Sequence, residues 1–322
     1  MEKNQFRVTF RGVRGSIPTP STADQIQDKL LKALELVRPD DLKDAVTRQA
    51  FVQSLPVEVR GCFGGNSSCV EVSLDGEHLV FDCGSGFREL GLAWMKCEFS
   101  RGQGQAHIFL SHTHWDHILG VPFFVPFYVR GNRFTIYSPL EDIGYRLEQQ
   151  QAKEYFPVPF SAFSSDVQFQ VLQGITECKV GDARITWKPM YHPGKSFAYR
   201  VEYMGKTLVY ATDAEYKRLG KEDLKPAVDF FRDADLLIFD SQYTFSEGLE
   251  KEDWGHSSTF IGVALAVEAN VKKIAFYHHE PTYSDFKLAD IFRQTEKYLK
   301  LVGPKNSLQM VLAAEGESID LI

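Results

Sequence analysis

Short apolar segments divided by turn residues recur along the whole chain and predict a series of β-strands. Residues 6–10 alternate between apolar and polar side chains, as expected for a strand with one buried face. Segments 69–74 and 78–83 are joined by an Asp75-Gly76 turn and form a predicted hairpin. Further apolar segments predict strands at residues 108–110, 134–137, 183–190, 197–203, 207–211, 234–240, 274–277 and 308–313.

Apolar residues at helical spacing predict helices between these strands. The predicted helices cover residues 86–97, 140–154, 259–269 and 285–301. Strands and helices follow one another in a similar way in the two halves of the chain. This pattern predicts an α/β (α+β) chain with one domain, residues 1–322, in which two sheets face each other with helices outside.

A predicted α-hairpin insertion, residues 21–58, interrupts the early strands. Its second helix begins after Pro39, with Asp40 as the predicted capping residue. The apolar residues at helical spacing are Ile26, Leu30, Ala33, Leu34 and Val37 in the first helix and Leu42, Val46 and Ala50 in the second. A lid, a dimer contact and a surface decoration are all compatible with this pattern.

Composition limits the class of protein. Of the 322 residues, 43% are hydrophobic and 25% are charged, which is typical of a soluble globular protein. A net charge of −7 disfavours a long nucleic acid as the main ligand, because such binders usually carry a basic stripe. We expect no membrane span and a cytoplasmic location, since no apolar segment of about 18 residues and no apolar signal core occur. The odd number of cysteines, five, predicts reduced thiols.

The most informative polar cluster follows the strand at 108–110. It contains His112, His114, Asp116 and His117 within six residues. Imidazole nitrogen and carboxylate oxygen are preferred ligands of borderline divalent cations. A turn after a strand allows the first two histidines to face one ion while the aspartate and the last histidine face a second. The alternative is a polar loop whose histidines form ordinary hydrogen bonds.

This His-x-His-x-Asp-His cluster resembles the signature of the metallo-β-lactamase-fold hydrolases. The likeness points to the phosphodiesterase branch, which includes ribonuclease Z and the cyclic phosphodiesterase of phosphonate breakdown. It implies a four-layer αββα sandwich and a pair of divalent metal ions that share a hydroxide. Zn²⁺ is the expected metal, and because all implied ligands offer nitrogen or oxygen, Mn²⁺ or Fe²⁺ is also compatible.

The resemblance also assigns ligands outside the cluster. His192 and Asp213 each follow an apolar strand and match the third imidazole of the first metal and the bridging carboxylate. After the strand at 274–277, His278 is favoured over His279 as the last ligand of the second metal. Asp82 matches the aspartate that supports a metal-bound histidine from behind; an ordinary turn aspartate is the alternative.

The segment Gly255-His256-Ser257-Ser258 resembles the Gly-His-Ser-Thr motif of the ribonuclease Z branch. The resemblance implies that His256 donates a proton during phosphodiester cleavage, with Asp116 as a second catalytic residue. A lone loop histidine is otherwise usually structural. Further residues expected to support the ligands or contact substrate are Ser111, Arg14, Tyr243 and His279.

These observations predict a dinuclear phosphodiesterase that hydrolyses a small cyclic or linear phosphodiester, such as a cyclic nucleotide. The chain has no protruding basic or Gly/Pro-rich arm like that of the enzymes that cut transfer RNA, so a large nucleic acid is not expected. Two alternatives remain open: a lactam or thioester hydrolase of the same fold, and a non-catalytic ligand sensor. The aromatic loops at 121–128 and 155–160 make a homodimer a reasonable expectation.

Overall fold

Two seven-stranded sheets form in residues 5–303 and 307–322, which the computed structural model describes. The strands are β1 (Phe6–Gly12), β2 (Cys69–Leu74), β3 (Glu77–Phe81), β4 (Gln105–Phe109), β5 (Arg133–Ser138), β6 (Asp166–Val171), β7 (Glu177–Val180), β8 (Ala183–Met190), β9 (Ser196–Tyr203), β10 (Lys206–Ala211), β11 (Leu236–Asp240), β12 (Lys273–Tyr277), β13 (Gln309–Leu312) and β14 (Ser318–Asp320). The first sheet has the order β14-β1-β2-β3-β4-β5-β6 and the second has the order β13-β12-β11-β10-β9-β8-β7. Each half of the chain therefore builds one sheet, except that the last strand returns to pair with the first.

Helices lie between the strands along the chain. They are α1 (Ala23–Leu36), α2 (Ala45–Ser54), α3 (Val57–Arg60), α4 (Gly86–Trp94), α5 (Trp115–Ile118), α6 (Ile143–Gln150), α7 (Lys221–Phe231), α8 (Phe245–Glu250), α9 (Thr259–Glu268) and α10 (Asp285–Val302). Apolar residues of α4 and α6 pack on the first sheet, and those of α7 and α9 pack on the second. The predicted four-layer αββα architecture is confirmed.

The main core lies between the two sheets and is rich in aromatic rings. Phe81 of the first sheet contacts Tyr199 and Tyr210 of the second, with ring centroids 5.7 and 5.4 Å apart. All three side chains are fully buried. Burial of one such ring stabilises the fold by roughly 1.5–3 kcal/mol relative to its exposure to water, so this layer holds the sheets together.

Two of these core tyrosines also reach from the second sheet to polar groups of the first. The hydroxyl of Tyr210 donates to the Asp82 carboxylate at 2.7 Å, and that of Tyr199 donates to the Leu110 carbonyl at 2.7 Å. Buried hydroxyls are costly unless they are paired, so these two bonds favour one relative position of the sheets. They fix the sheets at the edge where the candidate ligands lie.

Most predicted elements are present with slightly shifted bounds. The β2–β3 and β9–β10 hairpins are confirmed with antiparallel pairing, and the helix expected at 140–154 is the shorter α6. The apolar pattern does not predict β6, β7, β14, α7 or α8. Strands β6 and β7 lie at sheet edges with mostly exposed side chains, and α7 contains Pro226, so the periodic signal is weak in these elements.

The expected helical insertion is present as α1 and α2, followed by the short α3. The predicted cap at Asp40 is wrong, because this residue lies in a preceding 3₁₀ turn. Asp44 caps α2 instead and accepts a hydrogen bond from the Thr47 amide at 2.8 Å. The helix therefore begins about one turn later than the sequence indicates.

The apolar face predicted for the first helix of the insertion is not buried against the sandwich. Ile26, Leu30 and Leu34 are 49%, 60% and 68% exposed. The described contacts of α1 include a polar one: the Lys29 ammonium donates to the Asp285 carboxylate at the start of α10. Hydrophobic periodicity identifies a helix here but not the face that contacts the rest of the protein.

The sequence predicts reduced thiols and no membrane span. All five cysteines are free thiols in the structure. In the described part of the chain, no helix combines the length and the apolar character needed to cross a lipid bilayer. The predicted cytoplasmic location stays a prediction.

Candidate metal centre

The candidate ligands lie where strands of both sheets end at one edge of the sandwich. Asp82 and His112 follow β3 and β4, which are parallel neighbours in the first sheet. Asp213 and His278 follow β10 and β12, which run parallel on either side of β11 in the second. Because the carboxyl ends of parallel strands meet at one edge, side chains that are distant in the chain converge there.

Three of these residues leave their strands with a left-handed backbone. The φ angle is 61° at Asp82, 50° at Asp213 and 62° at His278. This conformation is uncommon outside glycine, although aspartate and histidine tolerate it better than most residues. Such backbone strain is often found at functional sites, where the surrounding structure holds it in place.

A first group of ligand atoms comes from His112, His114, His192 and Asp213, all within 4.8 Å of one another. Nε2 of His192 lies 3.0 Å from Nδ1 of His114 and 3.7 Å from Oδ2 of Asp213. Nε2 of His112 lies 3.5 Å from the same oxygen. Three imidazoles and a carboxylate thus surround one point.

A second group consists of Asp116, His117, Asp213 and His278, again within 4.8 Å. Nε2 of His117 lies 3.2 Å from Oδ2 of Asp116 and 3.3 Å from Nε2 of His278. Oδ1 of Asp213 lies 3.2 Å from Nε2 of His278. Asp213 belongs to both groups, with one oxygen facing each, so the geometry provides two adjacent positions that share a carboxylate.

The chemistry of this donor set fits divalent metal ions. Nε2 of His112 is buried and has no hydrogen-bond partner among the described residues, although buried polar atoms are normally paired. Burial lowers the pKa of His112 well below its ordinary value and keeps the ring neutral, the form that binds metal. All donors are nitrogen or oxygen, as Zn²⁺, Mn²⁺ and Fe²⁺ accept.

The charge balance points the same way. Burial opposes the protonation of His117, but the carboxylates of Asp213, Asp116 and Asp82 outweigh it and raise the pKa of this histidine well above its ordinary value. A proton on His117 therefore balances buried negative charge when no metal is bound. A cation held by these residues would take the place of that proton.

Asp82 connects the two sheets behind the ligands. Its carboxylate accepts hydrogen bonds from the amide and hydroxyl of Ser111, from Nδ1 of His117 at 2.8 Å and from the Tyr210 hydroxyl. The Ser111 hydroxyl also lies 3.0 Å from Nδ1 of His112. The structure thus places Asp82 and Ser111 where they orient two imidazoles whose Nε2 atoms face the centre.

His256 lies at the side of the second group. Its ring stacks on that of His278 with centroids 5.0 Å apart, and Tyr243 contacts it edge-on at 5.6 Å. Nδ1 of His256 lies 2.9 Å from Oδ2 of Asp240. Burial opposes its protonation, but the Asp240 carboxylate and further carboxylates raise the pKa of His256 to about 9.

Asp240 is the site residue that the sequence pattern missed. It is fully buried at the end of β11, and its carboxylate also accepts bonds from the amides of Ala214 and Gln242. Its position, a carboxylate at the carboxyl end of an apolar strand, is similar to those of Asp82 and Asp213. This shared pattern is the sequence signal that could have identified Asp240 as a site residue.

Two of the residues expected to support the ligands or contact substrate bond to other parts of the protein. Arg14 is 5% exposed and donates to the carbonyls of Gly64, Glu280 and Tyr283. Nε2 of His279 lies 2.9 Å from the Ala313 carbonyl, and the ring is 1% exposed. Both residues lie where the loop after β1 contacts the loop after β12, since the backbone of residues 13–15 pairs with that of His279.

Comparison with known proteins identifies the family. The sequence profile described as "Beta-lactamase superfamily domain" matches residues 77–279, well over half of the chain. The chain belongs to the beta-lactamase superfamily. The matched residues include both groups of candidate ligands. The family resemblance that the sequence motifs indicate is therefore confirmed.

Individual relatives of this superfamily member agree with that assignment. Ribonuclease Z of Haloferax volcanii is 23% identical over 66% of this chain and 78% of that protein. Ribonuclease Z of Prochlorococcus marinus is 27% identical over 72% of this chain and 88% of that protein. Among solved structures, the metallo-beta-lactamase fold protein YhfI of Bacillus subtilis has a TM-score of 0.64 at 18% identity and covers 99% of this chain and 100% of that one, which shows the shared fold.

Replacing Asp82 by asparagine tests its supporting role. Asparagine keeps the size and tolerates the left-handed backbone, but its uncharged amide cannot accept all four bonds. We expect metal affinity to fall about 10–100-fold, measured by titration calorimetry of the metal-free protein. Asp166→Asn, at an exposed carboxylate of β6, is the matched control. Equal affinities in the two variants would contradict the role.

Replacing Arg14 by alanine tests its structural role. The guanidinium is 3.6 Å from the Asp285 carboxylate and both side chains are 6% exposed. Its removal takes a donor from three buried carbonyls, while Lys29 still pairs with Asp285. Because a buried polar group left unsatisfied costs about 1–3 kcal/mol, we expect a loss of about 3 kcal/mol in the free energy of unfolding, measured in urea. Arg184→Ala removes an exposed ion pair with Glu177 and should lower the free energy of unfolding much less. A similar loss in both variants would refute this reading.

Proposed function

We propose that the chain hydrolyses a small cyclic or linear phosphodiester with two divalent ions at the positions that share Asp213. The single observation that carries this proposal is the shared carboxylate, with His256 beside it. The broader prediction, a metal-dependent phosphodiester hydrolase, is confirmed by the ribonuclease Z relatives.

The metal ions are assigned to the two groups of donors. One ion would be held by His112, His114 and His192, the other by Asp116, His117 and His278, with Asp213 between them. Bound ions of this kind make a water acidic enough to supply hydroxide near neutral pH and neutralise charge on the phosphate. Zn²⁺ is the proposed metal, and Mn²⁺ or Fe²⁺ is compatible with the same donors.

The protein's own residues position the reacting groups. The backbone amide of Ser16 donates to Oδ2 of Asp116 at 2.8 Å and fixes this carboxylate, which we propose as both ligand and catalytic residue. The Asp240 carboxylate holds Nδ1 of His256, so that Nε2 remains to deliver a proton to the departing oxygen. The His256 side chain is 10% exposed, so little of the ring is in contact with solvent.

A second candidate function is the processing of RNA, because the relatives are named ribonuclease Z. The net charge of −7 favours the small substrate over a large polyanion. The lactam or thioester hydrolase and the non-catalytic sensor lack a specific supporting observation here. A homodimer stays a prediction.

Substrate class is tested by assaying one preparation on several substrates. Bis(p-nitrophenyl) phosphate, cyclic nucleotides, a transfer-RNA precursor, a lactam and a thioester are compared by kcat/KM, and metal content is measured by elemental analysis. We expect turnover of the small phosphodiesters. Preferred turnover of the RNA precursor would favour RNA over a small phosphodiester as the substrate. Turnover of the lactam or thioester alone would overturn the phosphodiesterase proposal.

Replacing His256 by alanine tests general-acid catalysis. A leaving alkoxide needs a proton much more than 4-nitrophenolate does, so the loss in kcat should be about 10²–10⁴-fold for alkyl leaving groups and clearly smaller for 4-nitrophenyl esters. Metal content should remain as in the wild type. Equal losses for both leaving groups would remove His256 from this role.

Replacing the two aspartates separates positioning from metal binding. Asp240→Asn keeps the shape of the side chain but removes the charge that orients His256. We expect kcat to fall more for alkyl than for 4-nitrophenyl leaving groups, by a smaller factor than in His256→Ala. The metal content should stay that of the wild type. Asp213→Ala removes the shared ligand and should lose metal as well as turnover. Retention of two ions per chain in Asp213→Ala, by elemental analysis, would contradict the shared position.

A further inference from the structure

Two buried side-chain atoms beside the candidate metal centre have no hydrogen-bond partner within residues 5–303 and 307–322. They are Nδ1 of His278 and Oε1 of Gln242. His278 is 1% exposed and Gln242 is 2% exposed, so bulk water does not satisfy either atom. Because buried polar groups are normally paired, a potential donor and a potential acceptor left over in one region point to a bond that forms in another state of the site.

The position of Gly15 shows that these two atoms are close to each other. A Cβ added to Gly15 would lie 2.5 Å from Nδ1 of His278 and 2.8 Å from Oε1 of Gln242. The two atoms are therefore no more than 5.3 Å apart, the sum of these distances. Glycine at this position leaves the space between the ring and the amide free of a side chain.

Glu280 sets the orientation of the Gln242 amide. Nε2 of Gln242 donates to Oε2 of Glu280 at 3.0 Å and to the Ser16 hydroxyl at 3.0 Å. An ionised carboxylate can only accept hydrogen bonds, so it selects the nitrogen of the amide and leaves the amide oxygen for another neighbour. Oε1 of Gln242 is therefore available as an acceptor.

The other nitrogen of the His278 ring faces the position proposed for the second ion. Its Nε2 lies 3.1 Å from Oδ2 of Asp116 and 3.2 Å from Oδ1 of Asp213. A neutral imidazole that binds a metal through Nε2 carries its hydrogen on Nδ1, and this N–H group normally donates to an acceptor. Oε1 of Gln242 is an unpaired acceptor on that side of the ring.

We propose that Gln242 is a positioning residue for the second ion. When an ion binds His278, Oε1 of Gln242 accepts a hydrogen bond from Nδ1 of that histidine, and Glu280 holds the amide in the orientation that the bond requires. This inference rests on the proposed function, because it needs an ion at Nε2 of His278. Gln242 then orients His278 as Asp82 orients His117.

Replacing Gln242 by methionine removes the acceptor and keeps the length of the side chain. We expect one of the two ions to bind about 10–100-fold more weakly, measured by calorimetric titration of the metal-free protein with Zn²⁺. Gln151→Met, at a glutamine that is 1% exposed at the end of α6, is the matched control and should bind both ions as the wild type does.

The titration separates this inference from the proposed function. Two ions in the wild type with equal affinities in Gln242→Met would overturn the positioning role and leave the pair of metal positions intact. Fewer than two ions in the wild type would overturn the pair of metal positions and the positioning role with it.

Exchanging two side chains distinguishes the hydrogen bond from a general packing role. Glu280→Gln alone removes the charge that orients the amide, so we expect one ion to bind about 2–10-fold more weakly. The double variant Gln242→Glu with Glu280→Gln again places an oxygen towards His278 and keeps the net charge. Its affinity for both ions should return to near that of the wild type. An affinity as low as in Gln242→Met would contradict the proposed bond.

The hydrogen on His278 provides a spectroscopic test. In zinc-saturated protein labelled with ¹⁵N-histidine, a hydrogen-bonded Nδ1–H group exchanges slowly with water and gives a sharp resonance. We expect this resonance of His278 in the wild type and in the double variant, and its broadening by exchange in Gln242→Met. An equally sharp resonance in Gln242→Met would show that another group accepts the bond and would overturn the inference.

Discussion

Buried negative charge is the constraint on which the metal centre depends. Asp82, Asp116 and Asp213 are at most 6% exposed, and a buried carboxylate is costly unless donors or opposite charges surround it. Among the described residues, the ion pairs of Asp116 and Asp213 are formed with imidazoles alone. Five histidines around two carboxylates thus form a candidate site in which divalent cations would supply the balancing charge. Nε2 of His112, which has no hydrogen-bond partner among the described residues, is a further sign of this requirement.

The sandwich supports this arrangement from both sides. Asp82, Asp213 and His278 turn into the site with left-handed backbone, at a cost of about 1–3 kcal/mol each. The apolar layer between the sheets compensates for that cost, and the tyrosines within it do more than fill space. The hydroxyl of Tyr210 joins the second sheet to Asp82 of the first, so the core that stabilises the fold also helps to set the distance between the ligands that each sheet contributes.

Local patterns predicted much of the fold and most of the donor set. The cluster from His112 to His117 is short enough for the sequence alone to indicate metal binding, and family resemblance extended it to His192, Asp213 and His278. Patterns failed where a partner from elsewhere in the chain decides the role. Arg14 bonds to carbonyls of residues 64, 280 and 283, which are distant from it in the sequence, and the apolar face of α1 is exposed.

The sequence by itself determined which donor types are present and that each follows a strand, because strand periodicity and ligand chemistry are both local properties. Tertiary structure decided how these strand ends meet. The left-handed backbone at residue 278 directs neighbouring side chains apart, so His278 faces the candidate centre whereas His279 lies against the Ala313 carbonyl. It also paired Asp240 with His256 across the strand–helix junction. Such choices follow from the packing of two sheets around one core, which no local segment contains.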